Sequence, residues 1–395
     1  MLKVRYRVFL LLSLTFLLAN VGKAQHRLDL RLRVPAGPHK NDTLYVAGSF
    51  NNWDPGNKDY QLSGSGTIRS FSLGNLPAGT HEFKITRGTW DKVMATADGS
   101  DAANYVFALS SDSSLDLNIA AWKDDFKKQE KRHTASPNVT VMDTAFLIPQ
   151  LNRKRRIWLY LPSSYHTGTR RYPVLYLQDG QNVFDEFTAG FGEWGVDECL
   201  DSLMKKGKNE CIVIAIDNGA RRLNEYNPFD NERFGPGEGE GYAAFLATTL
   251  KPYIDNHYRT MKEPVNSIVA GSSMGGLISY YTLLRYPQVF GKAGVFSPAF
   301  WTAPGIRAAT DSLAKGAKGK FFFYMGALEG KEYMEDMYQV MQELGTHSSA
   351  LLYSVTDPEG QHNEAAWRKW FPEFFRFITA DWTNFVIPAG KGQTK

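Results

Sequence analysis

From about Asn138 to the C-terminal region the chain alternates short, almost wholly apolar runs with helical patterns, and this alternation limits the fold more than any other feature. Strand patterns fall at 156–161, 174–177, 211–216, 267–270, 293–296, 321–325 and 351–355, with helical patterns between them such as 241–257 and 276–285. Strands apolar on both sides, separated by helices, imply an α/β architecture: a parallel sheet covered on both faces. In such a sheet ligands bind where the strands' C-terminal ends open into loops, so reactive residues are expected just after strands.

The preceding hundred residues follow a different pattern. Between His26 and Asp124 short stretches alternate apolar and polar residues, at 28–34, 43–47, 70–73 and 81–85, across Gly and Pro turns, which predicts a small β-sandwich. Residues 125–137 are polar and charged with no apolar period, as in a linker. Ahead of both, Lys3, Arg5 and Arg7 precede an apolar run from Val8 to Leu18, followed by small Gly22 and Ala24. This is the pattern of a cleaved export signal, and the run is shorter than the ~20 residues that span a bilayer. The expected layout is a signal peptide at 1–24, a β-sandwich at 25–124, a linker at 125–137, an α/β domain at 138–385 and a tail at 386–395. The protein is expected in a periplasm or outside the cell, with no membrane span once the signal is removed.

Charge and cysteine content narrow the functions. The 395 residues carry 45 basic and 41 acidic side chains, but four of the basic ones lie before Gln25, where there is no acid, which leaves 41 against 41. A balanced mature chain removes the main argument for a nucleic-acid partner. Cys199 and Cys211 are the only cysteines. Two cysteines cannot build a disulfide scaffold or a cysteine zinc site, although a single bridge between them stays open. Gly235, Gly237, Gly239 and Gly241 lack the Lys-Ser/Thr of a phosphate loop, and no paired His stands at metal-binding helical spacing, so neither metal nor cofactor is expected. The basic cluster 153–156 reads as the solvated tip of a hairpin before a strand. Nothing in the sequence sets the oligomeric state.

The pentapeptide Gly271-Ser272-Ser273-Met274-Gly275 follows the 267–270 strand and leads into a helix. In that context G-x-S-x-G is a nucleophile elbow, a sharp turn that lifts the hydroxyl of Ser273 clear of the sheet. A serine hydroxyl needs a His to take its proton and a carboxylate to orient that His. In this fold the chain order is Ser, acid, His. Beyond Ser273 only His347 and His362 remain; His347 precedes the last strand, whereas His362 follows it and reaches the correct edge. Glu329 is the first carboxylate after the preceding strand, and Asp357 is the second candidate for the acid. The oxyanion is expected to meet the amides of Met274 and, from the Gly180 loop, Gln181, although a plain turn remains an alternative there. The loop 218–233, led by Asn218, is expected to rim the pocket, and Trp301 to form an acyl-side wall or a core contact.

The segments YPVLYLQDGQNVFDE, EWGVDECLDSL, IDNGARRLNEY, LKPYIDNHYRT, GSSMGGLISYYTLLRYPQVFGKAGVFSPAFW and EGQHNEAAW resemble the putative-esterase family of α/β-hydrolases. That family includes feruloyl and acetyl-xylan esterases, siderophore trilactone esterases, S-formylglutathione hydrolase and mycolyl acyltransferases. The resemblance implies an α/β-hydrolase domain with its nucleophile at Ser273, its His at His362 and its acid at Glu329, where Glu replaces the commoner Asp. In the front region, 44–53, 79–85 and 88–90 resemble starch- and glycogen-binding modules, implying an immunoglobulin-like β-sandwich that stacks sugars on Trp53 and Trp90 with Lys84 and Asn104 beside them. A core-anchor role for Trp53 stays open. The combination implies an exported serine esterase acting on acetyl or feruloyl esters of polysaccharide. The alternatives are a siderophore trilactone esterase, an acyltransferase using the same triad, and a non-catalytic glycan-binding protein.

Overall fold

The computed structural model describes residues 25–126, 131–205 and 209–380; the expected signal peptide and C-terminal tail lie outside them. Two compact units divide between Glu130 and Lys131.

In the first unit one three-stranded sheet joins Ile68–Pro77, Gln25–Arg33 and Ser113–Asn118, and a second joins Tyr45–Gly48, Gly79–Thr86 and Tyr105–Leu109. Every second residue of the opening strand, Leu28, Leu30 and Leu32, enters a core with Val46, Phe83, Ile85, Phe107 and Trp122. The charged residues between them face outward, as the period of two in a strand requires.

The second unit is built on eight strands in the order Leu351–Asp357, Lys320–Gly326, Lys292–Phe296, Ser267–Ser272, Val174–Gln178, Ile212–Ile216, Arg153–Tyr160 and Val139–Ile148. The first six run parallel. Arg153–Tyr160 runs antiparallel to both of its neighbours, so the sheet is mixed where the apolar pattern predicts a parallel one. One large core lies on each face: Leu277, Ile278 and Tyr280 of the helix after Ser273 belong to one, and Trp367, Phe371 and Phe374 of the last helix to the other. Burial on both faces is why the central strands carry unbroken apolar sequence.

One expectation is corrected here, and one open question is answered. The basic cluster is no solvated tip: the hairpin turn precedes it, and Arg153 and Arg155 pair with Glu225, which is fully buried, while Arg153 also pairs with Glu238 at 2.6 Å. Arg156 pairs with Asp217 at 2.8 Å. Cys199, in the helix Val196–Lys205, and buried Cys211 are not joined by a disulfide.

Residues 131–138 lie along the second unit, fastened by carboxylates that follow the Gly180 loop. Asp185 accepts from His133 at 2.8 Å and from the Thr134 amide at 3.1 Å, Glu193 accepts from the Thr134 hydroxyl at 2.8 Å, and Asp197 accepts from the Ser136 amide at 2.6 Å.

Candidate active site

Four adjacent parallel strands deliver four polar side chains to one edge of the sheet. Ser273 follows Ser267–Ser272, Ser297 follows Lys292–Phe296, Glu329 follows Lys320–Gly326 and His362 follows Leu351–Asp357. Neighbouring strands stand ~4.8 Å apart, so residues far apart in sequence become neighbours.

Ser273 sits at φ 56 and ψ −122, immediately before the helix Met274–Arg285. A non-glycine residue at positive φ carries strain of about 1–3 kcal/mol and persists only where its surroundings impose it. Here its amide donates to Phe296 O at 2.9 Å and its carbonyl accepts from Ala299 at 3.1 Å, so the next strand end grips the turn. Ser297 (φ 42) and Asp179 (φ 58) are held in the same region at the ends of neighbouring strands. Strained backbone thus clusters where the polar side chains converge.

His362, about half exposed, makes a 2.7 Å hydrogen bond from Nδ1 to Glu329 Oε2. The other oxygen, Glu329 Oε1, accepts from Ser297 Oγ at 2.7 Å and from the Gly326 amide at 2.8 Å. With Nδ1 facing a carboxylate, the imidazole proton belongs on Nδ1 and Nε2 is left as the base. The loops carrying Glu329 and His362 approach so closely that a Cβ on Gly326 would run into the backbone of Gly360, and Leu328 N bonds Gly360 O at 3.1 Å. Asp357, the second candidate, is placed elsewhere: its carboxylate accepts from Lys369 Nζ and Trp370 Nε1, each at 2.8 Å, and from the Glu359 amide at 3.2 Å. Burial opposes its ionisation, but these donors outweigh it and hold the carboxyl below its ordinary range.

Met274 is the first residue of its helix, so its N–H has no intrahelical acceptor. Gln181 lies in the first turn of the short helix Gly180–Asn182, its carbonyl fixed by Thr188 Oγ1 at 2.8 Å and its side-chain oxygen by the Asn218 amide at 3.1 Å. Gly180 permits this turn to lie against the next strand, since a Cβ there would stand 2.8 Å from the backbone carbons of Ala215 and Ile216. The Asn218 side chain donates to Asp179 at 2.6 Å, beside a two-point contact from Arg222 at 2.6 and 2.8 Å, so Asn218 braces the turn. Trp301 is 49% exposed, in the short helix Phe300–Thr302 next to the nucleophile turn, with Phe234 and Tyr333 ring centroids 6.1 and 6.0 Å away.

Sequence reasoning missed Ser297, Trp367, Arg222 and Glu364. Trp367 Nε1 donates to Ser297 Oγ at 2.9 Å, and Glu364, buried, accepts from Asn182 Nδ2 at 3.1 Å. Burial and the nearby charge of Asp179 push the Glu364 carboxyl up to about 7. Among the described residues no group of three or more His, Cys, Asp or Glu is placed to hold a metal ion, and no helix is long and apolar enough to cross a membrane.

In the first unit Trp53 and Trp90 come together, ring centroids 6.4 Å apart, with Trp90 42% exposed. Trp53 has φ 57, an outlying conformation for a bulky residue. Lys84 is half-buried on the side of its strand opposite His81, Phe83 and Ile85, and burial makes its ammonium easier to deprotonate than usual. Asn104 donates to Glu82 at 2.8 Å.

Residues 148–378, more than half of the chain, match the family model described as Putative esterase. The chain belongs to this family. The chain is 28% identical over 227 residues to the uncharacterized protein YbbA of Bacillus subtilis strain 168, covering 53% of this chain and 87% of that one. It is 26% identical over 217 residues to an endo-1,4-beta-xylanase/feruloyl esterase of Xylanibacter ruminicola, covering 53% of this chain and 27% of the relative. To the iron(III) enterobactin esterase of Dickeya dadantii it is 30% identical over 176 residues, covering 44% and 36%. Among solved structures, the enterobactin esterase FES of Shigella flexneri superposes with a TM-score of 0.52 at 16% identity, covering 91% of this chain and 94% of that one. The BES protein of Bacillus cereus gives a TM-score of 0.52 at 17% identity, covering 65% and 100%. At these identities the superpositions carry the fold alone. Family membership supports an ester hydrolase.

Proposed function

We propose that the protein is an exported serine carboxylic-ester hydrolase that works through an acyl-enzyme on acyl groups borne by polysaccharide. The observation that carries the serine mechanism is the strained Ser273 turn at the sheet edge that also presents the His362–Glu329 pair. Ser273 Oγ attacks the ester carbonyl while His362 Nε2 takes its proton, and the Nδ1–H bond to Glu329 Oε2 stabilises the imidazolium. The amides of Met274 and Gln181 receive the oxyanion. Collapse of the tetrahedral intermediate breaks the bond to the alcohol, which leaves with the proton from His362. Water, deprotonated by the same His, then frees the acid and restores Ser273.

Trp301, exposed beside the nucleophile turn, forms the acyl-side wall, and an aromatic surface there suits a feruloyl ring as well as an acetyl group. The first unit, with two sheets sharing one core, is an immunoglobulin-like sandwich in this reading. Its paired Trp53 and Trp90 form a stacking surface for the apolar faces of sugars, with Lys84 and Asn104 supplying polar contacts at the rim.

The test is release of acid from acetylated and feruloylated polysaccharides, a catecholate trilactone and a small synthetic ester, by wild type and Ser273→Ala. Polysaccharide turnover that falls at least about a thousandfold in the variant supports the proposal. Turnover of the trilactone in preference to every polysaccharide overturns the substrate assignment and leaves the serine mechanism standing.

A further inference from the structure

The acid of the proposed triad is a glutamate, whose extra methylene adds a rotatable bond between backbone and carboxylate. A floppy acid orients the imidazole poorly, and fixing such a side chain has an entropic cost that neighbouring contacts must offset. The structure supplies those contacts through two residues outside the triad.

Trp367 Nε1 lies 2.9 Å from Ser297 Oγ, and Ser297 Oγ lies 2.7 Å from Glu329 Oε1. An indole N–H only donates, so the Ser297 oxygen is the acceptor from Trp367. The single hydroxyl proton of Ser297 is thereby directed at Glu329. Together with the Gly326 amide it pins Oε1 and leaves Oε2 for His362. Trp367 also meets the His362 ring edge to face, with centroids 5.2 Å apart and planes at 86°, and itself packs on Trp194. Ser297 is 1% exposed and sits at φ 42, its amide bonded at 2.7 Å to Tyr324 O on the strand that leads into Glu329. A buried serine held in strained backbone and hydrogen-bonded in one direction is poorly explained as a turn residue.

We infer that Ser297 and Trp367 are positioning residues for the triad acid: the Trp367 N–H orients the Ser297 hydroxyl, and that hydroxyl locks Glu329 with one oxygen aimed at His362. This inference rests on the triad proposed above.

The experiment compares kcat, KM and the pH profile of kcat/KM on a small ester for wild type, Ser297→Ala, Trp367→Phe and the double variant, with folding checked by circular dichroism. Ser297→Ala lowers kcat about ten- to a hundredfold at unchanged KM, because the misplaced acid no longer holds the imidazole in attack geometry. Its acid limb moves to lower pH, because the displaced carboxylate stabilises the imidazolium less. Trp367→Phe keeps the ring but not the N–H and lowers kcat by about fivefold, the value of one neutral hydrogen bond. The double variant is no slower than Ser297→Ala, since the indole acts through the hydroxyl.

A folded Ser297→Ala protein with wild-type kcat, or losses that multiply in the double variant, overturns the inference. Should Ser297→Ala fail to fold, Trp367→Phe carries the test alone, and a change in KM without one in kcat overturns it. Ser273→Ala is the control: if it remains active the triad itself fails, whereas an inactive Ser273→Ala beside a fully active Ser297→Ala removes only the positioning role.

Discussion

Glu329 and Asp357 are the two candidates for the triad acid, and their surroundings give them different work. Glu329 faces the imidazole, whereas Asp357 is occupied by Lys369, Trp370 and the Glu359 amide. Glu329→Gln is therefore expected to lower kcat by about 10³-fold or more at little change in KM, by analogy with removing the triad acid elsewhere. Asp357→Asn should leave kcat intact and lower the melting temperature, as steady-state kinetics beside thermal unfolding will show. Glu364 gives a pH-dependent prediction. Its carboxyl is raised to about 7 in the folded state, above the ordinary ~4.5, so between those values the folded form holds a proton the unfolded form has released. Its contribution to stability is complete below that window and is lost as pH rises through it, by on the order of 3 kcal/mol at most. Glu364→Gln keeps an acceptor for Asn182 and removes the titration, so its melting temperature should fall less than that of wild type between pH 5 and pH 8. Ser273, His362 and Glu329 were legible in the sequence as candidates because chain order and strand edge leave few choices. Ser297 and Trp367 were not, because Ser-Pro after a strand reads as a turn and a tryptophan on an amphipathic helix reads as core.

Among the elements, the central strands were legible because burial on both faces demands unbroken apolar sequence, and the observed Val174–Gln178 and Ser267–Ser272 strands extend the expected ones by only one or two residues. The edge strand Val139–Ile148 was not, since only Phe146 and Ile148 in it are buried and its remaining residues lack a clean alternation. Arg153–Tyr160 opens on three arginines, which a charge-based reading takes for solvent; their acidic partners lie about 60 to 85 residues later and come into register only in the folded sheet. The close approach of the Glu329 and His362 loops is a property of two elements together. Gly326→Ala places a methyl against the Gly360 backbone, which cannot move aside as a side chain would. It should destabilise the protein by about 1–3 kcal/mol in chemical denaturation and lower kcat as the two loops separate.

For the whole molecule, the proposed function assigns separate roles to the two units: chemistry to the second and retention on substrate to the first. Trp53→Ala and Trp90→Ala should weaken binding to insoluble polysaccharide in pull-down assays while kcat on a small ester stays at the wild-type value. Equal retention of wild type and both variants would remove the glycan-binding role. The sequence showed this two-part organisation through the change from a period of two to alternating strands and helices, but no local pattern encodes the chemistry of the substrate. The most direct test of the central claim is to treat the protein with a fluorophosphonate and map the adduct by peptide mass spectrometry. A serine acyl-enzyme mechanism predicts one adduct on Ser273, lost in Ser273→Ala and slowed in Glu329→Gln; an adduct on Ser272, or none on an enzyme that still hydrolyses esters, would contradict it.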